Sequence, residues 1–298
     1  MVMSGTLKKI MLSKRKNSYS RDKSIEELRN EHFLNALSIP LPKGTVYKSV
    51  NVDGIKAEWI SCGKITLSKV FLFIHGGGYY RGSVAATRST ASRISAASGM
   101  RCLSIDYRLA PENIFPAAID DTYIAFKWLI RQGVLSENIL VGGVSAGGGL
   151  ALSLLLKLKE TNESHPAGAV AISPWTDLTQ SGKTMQTNAK NDPIISKDYL
   201  NRMSEIYLSG ASALTPLASP LFGDLIGLPP ILVQVGTAET MLDDSRRFVR
   251  KAEAANVEVK YEAWEDMFHG WHGSAHILDE AKQAIESIGL FCKKVIAV

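Results

Sequence analysis

Five residues, Gly143-Val144-Ser145-Ala146-Gly147, constrain this chain more than any others. They follow the apolar run Ile139-Leu140-Val141 and precede a helix-like run from Leu150 to Leu158. A strand that enters, a sharp turn at a serine and a helix that leaves make the context of a nucleophile elbow. Gly143 and Gly147 then read as steric requirements, since a side chain at either would collide with segments crowding the turn. The Ser145 hydroxyl would stand at the carboxyl edge of a sheet, above a helix N-terminus that favours negative charge. Glycine-rich strand-to-helix turns also serve packing, so the pentapeptide needs the support of its surroundings.

That support begins upstream. His75-Gly76-Gly77-Gly78 follows the apolar run Val70-Phe71-Leu72-Phe73-Ile74. A strand ending in three glycines leaves backbone N–H groups uncovered, and H-G-G-G is an oxyanion-hole pattern of esterases. A phosphate loop would end in Gly-Lys-Ser/Thr, where this chain has Gly78-Tyr79-Tyr80, and position 81 lacks the last glycine of a dinucleotide fingerprint.

A third segment, Asp106-Tyr107-Arg108-Leu109-Ala110-Pro111-Glu112, follows the strand-like Arg101 to Ile105. With H-G-G-G and G-V-S-A-G-G it resembles the hormone-sensitive-lipase-like branch of the α/β-hydrolases, the bacterial family IV carboxylesterases. The resemblance runs from about residue 45 to the C-terminus, with the motifs in the family's order and spacing. It implies that Asp106 and Arg108 brace loops near the site. It also implies a Ser-acid-His triad, no cofactor, no metal and a small-molecule ester as substrate.

In this superfamily the acid follows the serine in the chain and the histidine comes last. After Ser145 the next buried-looking strand is Pro230 to Val235, ending in Gly236-Thr237-Ala238-Glu239. The family usually carries aspartate where Glu239 stands. The extra methylene requires the strand end or the histidine to sit slightly further back, and Asp243 is held in reserve because one helical turn also brings it near. The other reading of Asp243 and Asp244 is an acidic pair in a helix's first turn, favourable to the dipole.

Three of the six histidines lie downstream of the acid: His269, His272 and His276. By resemblance, His269-Gly270-Trp271 matches the family's histidine, glycine and aromatic, while His272 and His276 read as surface or capping residues. His269 would take the Ser145 proton and return it to the leaving alcohol, with Glu239 holding its tautomer. The oxyanion donors would be the N–H groups of Gly77, Gly78 and Ala146. His75 reads either as a bracket of the glycine loop or as a satisfied core residue.

Strand-like runs at 45–52, 55–61, 69–74, 101–106, 138–142, 167–172, 230–235 and 257–264 alternate with helical ones. That rhythm predicts an α/β fold, a mostly parallel sheet of about eight strands flanked by helices. Asp53-Gly54 signals a hairpin between the first two. The resemblance makes this an α/β-hydrolase core over 45–177 and 215–298, with a small helical cap built from 1–44 and an insertion at 178–214. Within the insertion, Asp192-Pro193-Ile194-Ile195-Ser196 reads as a turn into a helix capped by Ser196.

The chain has 298 residues and a formal net charge of +5, but the charge is local. Residues 1–23 hold seven lysines and arginines beside one acid, leaving the remainder with a net charge of −1. A basic tail can touch anionic surfaces, but a solvated helix face explains it as well. Nucleic acid is therefore not expected as a partner, and no apolar run is long enough for stable membrane insertion. No apolar segment follows the basic residues as in a secretory signal, and Cys62, Cys102 and Cys292 form no spacing motif, so reduced thiols and a cytoplasmic location are expected. A homodimer is left open.

Tyr79, Tyr80, Trp175, Met203, Ile206, Tyr207 and Trp271 are candidate pocket walls, each also readable as core packing. An apolar, partly aromatic pocket suits a short or medium acyl group. The same residues would serve an amide hydrolase or deacetylase. A non-catalytic small-molecule receptor on this scaffold would lack the histidine that His269 supplies.

Overall fold

In the strand Thr66–Ile74 (β3), every residue from Val70 to Ile74 is fully buried. Val70, Leu72 and Ile74 join one hydrophobic cluster, while Phe71 and Phe73 join another. This period-2 division puts one side chain in two into each of two helical layers, which is why the strand reads as an unbroken apolar run. The computed structural model describes residues 4–16 and 23–296.

The other strands are β1 (Thr45–Val52), β2 (Ile55–Cys62), β4 (Met100–Ile105), β5 (Ile139–Val144), β6 (Gly168–Ile172), β7 (Ile231–Gly236) and β8 (Val259–Trp264). All eight fall on the expected runs. They form one sheet in the order β1-β2-β4-β3-β5-β6-β7-β8, parallel from β4 to β8 and antiparallel at the β1–β2 and β2–β4 pairs. The Asp53-Gly54 hairpin is present, with φ of 51° and 94° at its two central residues, the positive pair of a type I′ turn.

Helices α3 (Val84–Ser98) and α9 (Asp279–Val295) cover the Phe71 face, and α4 (Ala117–Arg131), α5 (Ala146–Glu160) and α8 (Leu242–Ala254) cover the Leu72 face. Two helices, α1 (Gly5–Lys16) and α2 (Ile25–Leu37), precede the sheet, and α6 (Thr184–Thr187) and α7 (Lys197–Leu208) lie between β6 and β7. Leu7 of α1 and Leu28 of α2 are both buried, one in each cluster. Ser196 caps α7 as expected, accepting from the Tyr199 N–H at 3.1 Å. No helix among the described residues is long and apolar enough to cross a membrane.

From β3 the chain moves outward to β4, then returns past β3 to β5. The carboxyl ends of β3 and β5 are therefore neighbours at the point where strand order reverses, with Ile74 paired to Gly143. Ligand crevices in open α/β sheets form at such points. Here it brings the glycine loop beside the serine turn.

Candidate active site

Ser145 occupies φ 58° and ψ −120°, a strained conformation for a residue with a side chain. Surrounding bonds hold it there. Its N–H donates to the Ile172 carbonyl at 2.9 Å, and its carbonyl accepts from Gly149 and Trp175. A Cβ on Gly147 would lie 2.2 Å from the Ile74 carbonyl oxygen, and one on Gly143 would lie 2.4 Å from the same atom. Neither glycine can carry a side chain without moving β3, as the sequence pattern predicts.

The glycine loop after β3 makes its own turn. Gly77, Gly78 and Tyr79 all have positive φ, and the Gly77 carbonyl accepts from Tyr80 and Arg81. Among the described residues the N–H groups of Gly77 and Gly78 have no protein acceptor. Ala146 is the first residue of α5, where an N–H has no intrahelical acceptor. His75 underlies the loop. It is fully buried, its Nδ1 lies 2.8 Å from the Gly76 carbonyl, and its ring stacks on Tyr107 at 4.2 Å. Gly82 presses on that ring so closely that a Cβ would come within 2.3 Å of Nδ1. This favours the bracket reading of His75. Asp106 accepts the Val84 N–H at the start of α3, and Arg108 grips Asp121 with two nitrogens.

Glu239 is fully buried at the end of β7. One carboxylate oxygen accepts from the Gly236 N–H at 2.6 Å and from the Ser173 hydroxyl at 2.7 Å, and the other lies 2.8 Å from His269 Nδ1. The longer side chain is accommodated by a tight turn. Glu239 N–H bonds the Gly236 carbonyl, so the carboxylate folds back onto the residue that begins the turn. The His269 loop is correspondingly close, with the Met267 carbonyl 2.0 Å from where a Gly236 Cβ would stand. Because the carboxylate accepts, Nδ1 carries the proton and Nε2 keeps its lone pair. Burial alone would lower the His269 pKa, but the hydrogen bond and charge of Glu239, together with the charge of Asp192, raise it above the ordinary 6.5.

Asp243 and Asp244 stand in the first turn of α8, as the helix-dipole reading has it, and neither bonds His269. Asp243 accepts from the Thr184 N–H. His272, expected at the surface or as a cap, is instead buried. Its Nε2 lies 2.7 Å from Gln234 Oε1, and burial holds its pKa down to about 3.

Several contributors carried no recognised sequence signal. Ser173 donates to Glu239 and accepts the Gly270 N–H at 3.3 Å, tying the acid to the histidine loop. Asn188 donates to the carbonyls of Thr237 and Glu239, and Thr184 donates its hydroxyl to the Thr240 carbonyl. Asp192 accepts from Thr240. The segment between β6 and β7 thus grips the acid turn from outside.

Of the expected pocket walls, Tyr79 and Tyr207 stack face to face at 3.8 Å, with Trp175 5.6 Å from the Tyr79 ring. Met203 reaches within 3.5 Å of where a Gly78 Cβ would stand, and the Tyr199 hydroxyl within 3.0 Å. Tyr80 packs on Tyr199, and Ile206 is partly buried against the same cluster. Trp271 lies elsewhere, against Trp264 and His272 in the second cluster.

Fold and sheet edge together define an α/β hydrolase. The family model of the α/β-hydrolase fold matches residues 71–273. An acetyl-hydrolase of Streptomyces hygroscopicus is 38% identical over 256 residues, 86% of this chain and 84% of that protein. An esterase of Acinetobacter venetianus is 36% identical over 82% of this chain and 80% of its own. The crystal structure of an esterase from the bacterial hormone-sensitive lipase family superposes with a TM-score of 0.96 at 42% identity, covering 99% of this chain and all of that one. The chain belongs to the α/β-hydrolase family, in its hormone-sensitive-lipase-like branch, and is a carboxylic ester hydrolase.

Proposed function

We propose that this protein hydrolyses short- to medium-chain acyl esters through an acyl-enzyme formed on Ser145. His269 Nε2 takes the hydroxyl proton as Oγ attacks the ester carbonyl. The oxyanion is received by the N–H groups of Gly77, Gly78 and Ala146. Collapse expels the alcohol, which leaves with the proton from His269. Water, activated by the same imidazole, then attacks the acyl-serine and releases the acid.

The observation that carries this reading is the 2.8 Å contact between His269 Nδ1 and a fully buried, fully bonded Glu239. It fixes the tautomer that leaves Nε2 basic, on the sheet edge where Ser145 is held out by its strained turn. The short acyl preference rests on the Tyr79, Trp175 and Tyr207 group, which stacks directly after the glycine loop and whose members are each 2% exposed or less. The acetyl-hydrolase name of one relative is in keeping with it. The residues 1–44 and 178–214 would serve as the cap.

The test is a series of p-nitrophenyl esters from acetate to laurate, with p-nitroanilides of the same acids. Turnover should be highest at two to about six carbons and far slower on the anilides. A laurate optimum would remove the short-chain claim. Anilides cleaved as fast as esters would favour an amide hydrolase.

A further inference from the structure

Two cations from different parts of the chain sit beside the active-site loops, and among the described residues neither is in salt-bridge contact with a carboxylate, although the charge of Glu31 is felt at Arg81. The inward face of α1 is a stripe of Leu7, Ile10 and Lys14, spaced as one side of a helix. Leu7 is buried and Ile10 and Met11 are partly buried against the second cluster, while Lys8, Leu12 and Arg15, with the edge of Met11, line an open groove of about 660 Å³ on another side of the helix. A lysine therefore stands where the pattern calls for an apolar residue. Its Nζ lies 5.3 Å from the ring centroid of Phe268, the residue before His269. Burial lowers the Lys14 pKa, and among the described residues it has no carboxylate partner.

Arg81 is the second cation. It closes the oxyanion turn through its N–H to the Gly77 carbonyl. Its guanidinium lies 5.3 Å from the Tyr80 ring and 5.8 Å from the Tyr199 ring, and it is hydrogen-bonded to Tyr199, whose hydroxyl approaches Gly78. Its Nε is buried with no hydrogen-bond partner among the described residues. His32 of α2 feels both charges. Burial, then Arg81, His75 and Lys14, lower its pKa to about 3, so it adds no charge of its own.

Glu265 and Asp266 line the groove on the other side of α1, and three further acids nearby are engaged. Asp192 is occupied by backbone N–H groups and Thr240, Glu239 by Gly236, Ser173 and His269, and Glu31 pairs with Lys23. Both side chains are only partly exposed, and a partly desolvated cation without an ion-pair partner favours a ligand that supplies the opposite charge.

We propose that Lys14 and Arg81 form a subsite for a negatively charged group on the alcohol portion of the ester, a carboxylate or a phosphate. The side follows from the chemistry. The leaving alcohol takes its proton from His269, so the part of the substrate next to Phe268 and His269 is the alcohol. The proposal rests on the ester-hydrolysis reading above and names its substrate class.

The experiment compares kcat/KM on 4-carboxyphenyl butyrate and on 4-(phosphonomethyl)phenyl butyrate with that on the methyl ester of the former. Measurements are made on the wild type, Lys14→Met, Lys14→Gln and Lys9→Met. Lys9 lies on the exposed side of the same helix, so its loss changes net charge alone. Referring each variant to its own neutral ester cancels differences in leaving-group ability. The wild type should favour at least one anionic ester by about tenfold, the value of one added charge-assisted contact. Both Lys14 variants should lose most of that preference through KM, and Lys9→Met should keep it. Whichever anion gains more names the source. Melting curves show whether the Lys14 variants remain folded, and Lys14→Met should not fall, since it removes a charge from an apolar stripe. A ratio independent of Lys14, with the neutral ester turned over normally, overturns the subsite alone. If the wild type cleaves none of the three esters, the ester-hydrolysis reading falls and the subsite falls with it.

Discussion

One carboxylate oxygen of Asp192 accepts both the backbone N–H and the hydroxyl of Thr240, at 2.9 and 3.1 Å. Thr240 directly follows Glu239, whereas Asp192 comes 48 residues earlier than Thr240, in the segment between β6 and β7. The second Asp192 oxygen accepts from Ile194 and Ile195. The insertion expected to form part of the cap therefore also holds the turn that carries Glu239.

Asp192→Ala should strip the Thr240 N–H of its partner in a buried place. The expected destabilisation is about 2–4 kcal/mol, the cost of orphaning buried donors of a charge-assisted pair. Turnover should fall by about tenfold or more as the acid turn loosens, with KM changed less. Urea denaturation and steady-state kinetics on one aryl ester check both. A variant with lowered stability and unaltered kcat would show that Asp192 supports the fold only.

Glu239 and Asp243 can be separated by three substitutions. Glu239→Gln should lower kcat by about 10³–10⁴-fold, because an amide can hold the wrong tautomer of His269. Glu239→Asp should be intermediate, since the charge remains but the reach shortens. Asp243→Asn should change kcat little and soften only the contacts with Thr184 and Arg246. The measurement is kcat with a melting curve for each variant. A crippled Asp243→Asn beside an active Glu239→Gln would reverse the assignment.

The pH dependence follows from the environment of His269. Only the neutral imidazole accepts the serine proton, so kcat/KM should rise with pH through its pKa in the free enzyme. Burial depresses that pKa, and Glu239 together with the charge of Asp192 more than offsets it, placing the midpoint above 6.5. In Glu239→Gln the burial remains and Glu239's part of the offset is lost, so the midpoint should move to lower pH in whatever activity survives. A midpoint unchanged by Glu239→Gln would contradict the pairing.

The strands were legible because central parallel strands are apolar on both faces, and Val70 to Ile74 has no polar residue to confuse the pattern. Ser145, Gly147 and the glycine loop were legible because a tight turn admits so few residue types. Ser173, Asn188 and Asp192 were not legible. A serine, asparagine or aspartate in a loop bonds backbone in countless ways, and only the folded chain shows that these three converge on Glu239 and the Thr240 beside it. His272 misled for a related reason. Its burial depends on Gln234, a polar residue in the middle of β7 that nothing adjacent in sequence marks as its partner. Trp271 was drawn to the pocket by its neighbour His269, yet the left-handed Gly270 between them, at φ 64°, turns the chain back toward the second cluster.

The central claim is that Ser145 carries the acyl group. The most direct measurement is peptide mass spectrometry of protein quenched in acid within milliseconds of mixing with p-nitrophenyl butyrate, run beside Ser145→Ala. The account predicts a burst of p-nitrophenol in the wild type and a butyryl group on the peptide containing Ser145. It predicts neither in Ser145→Ala, with steady-state turnover lower by several orders of magnitude. A butyryl group on another residue, or near-normal turnover in folded Ser145→Ala, would contradict it.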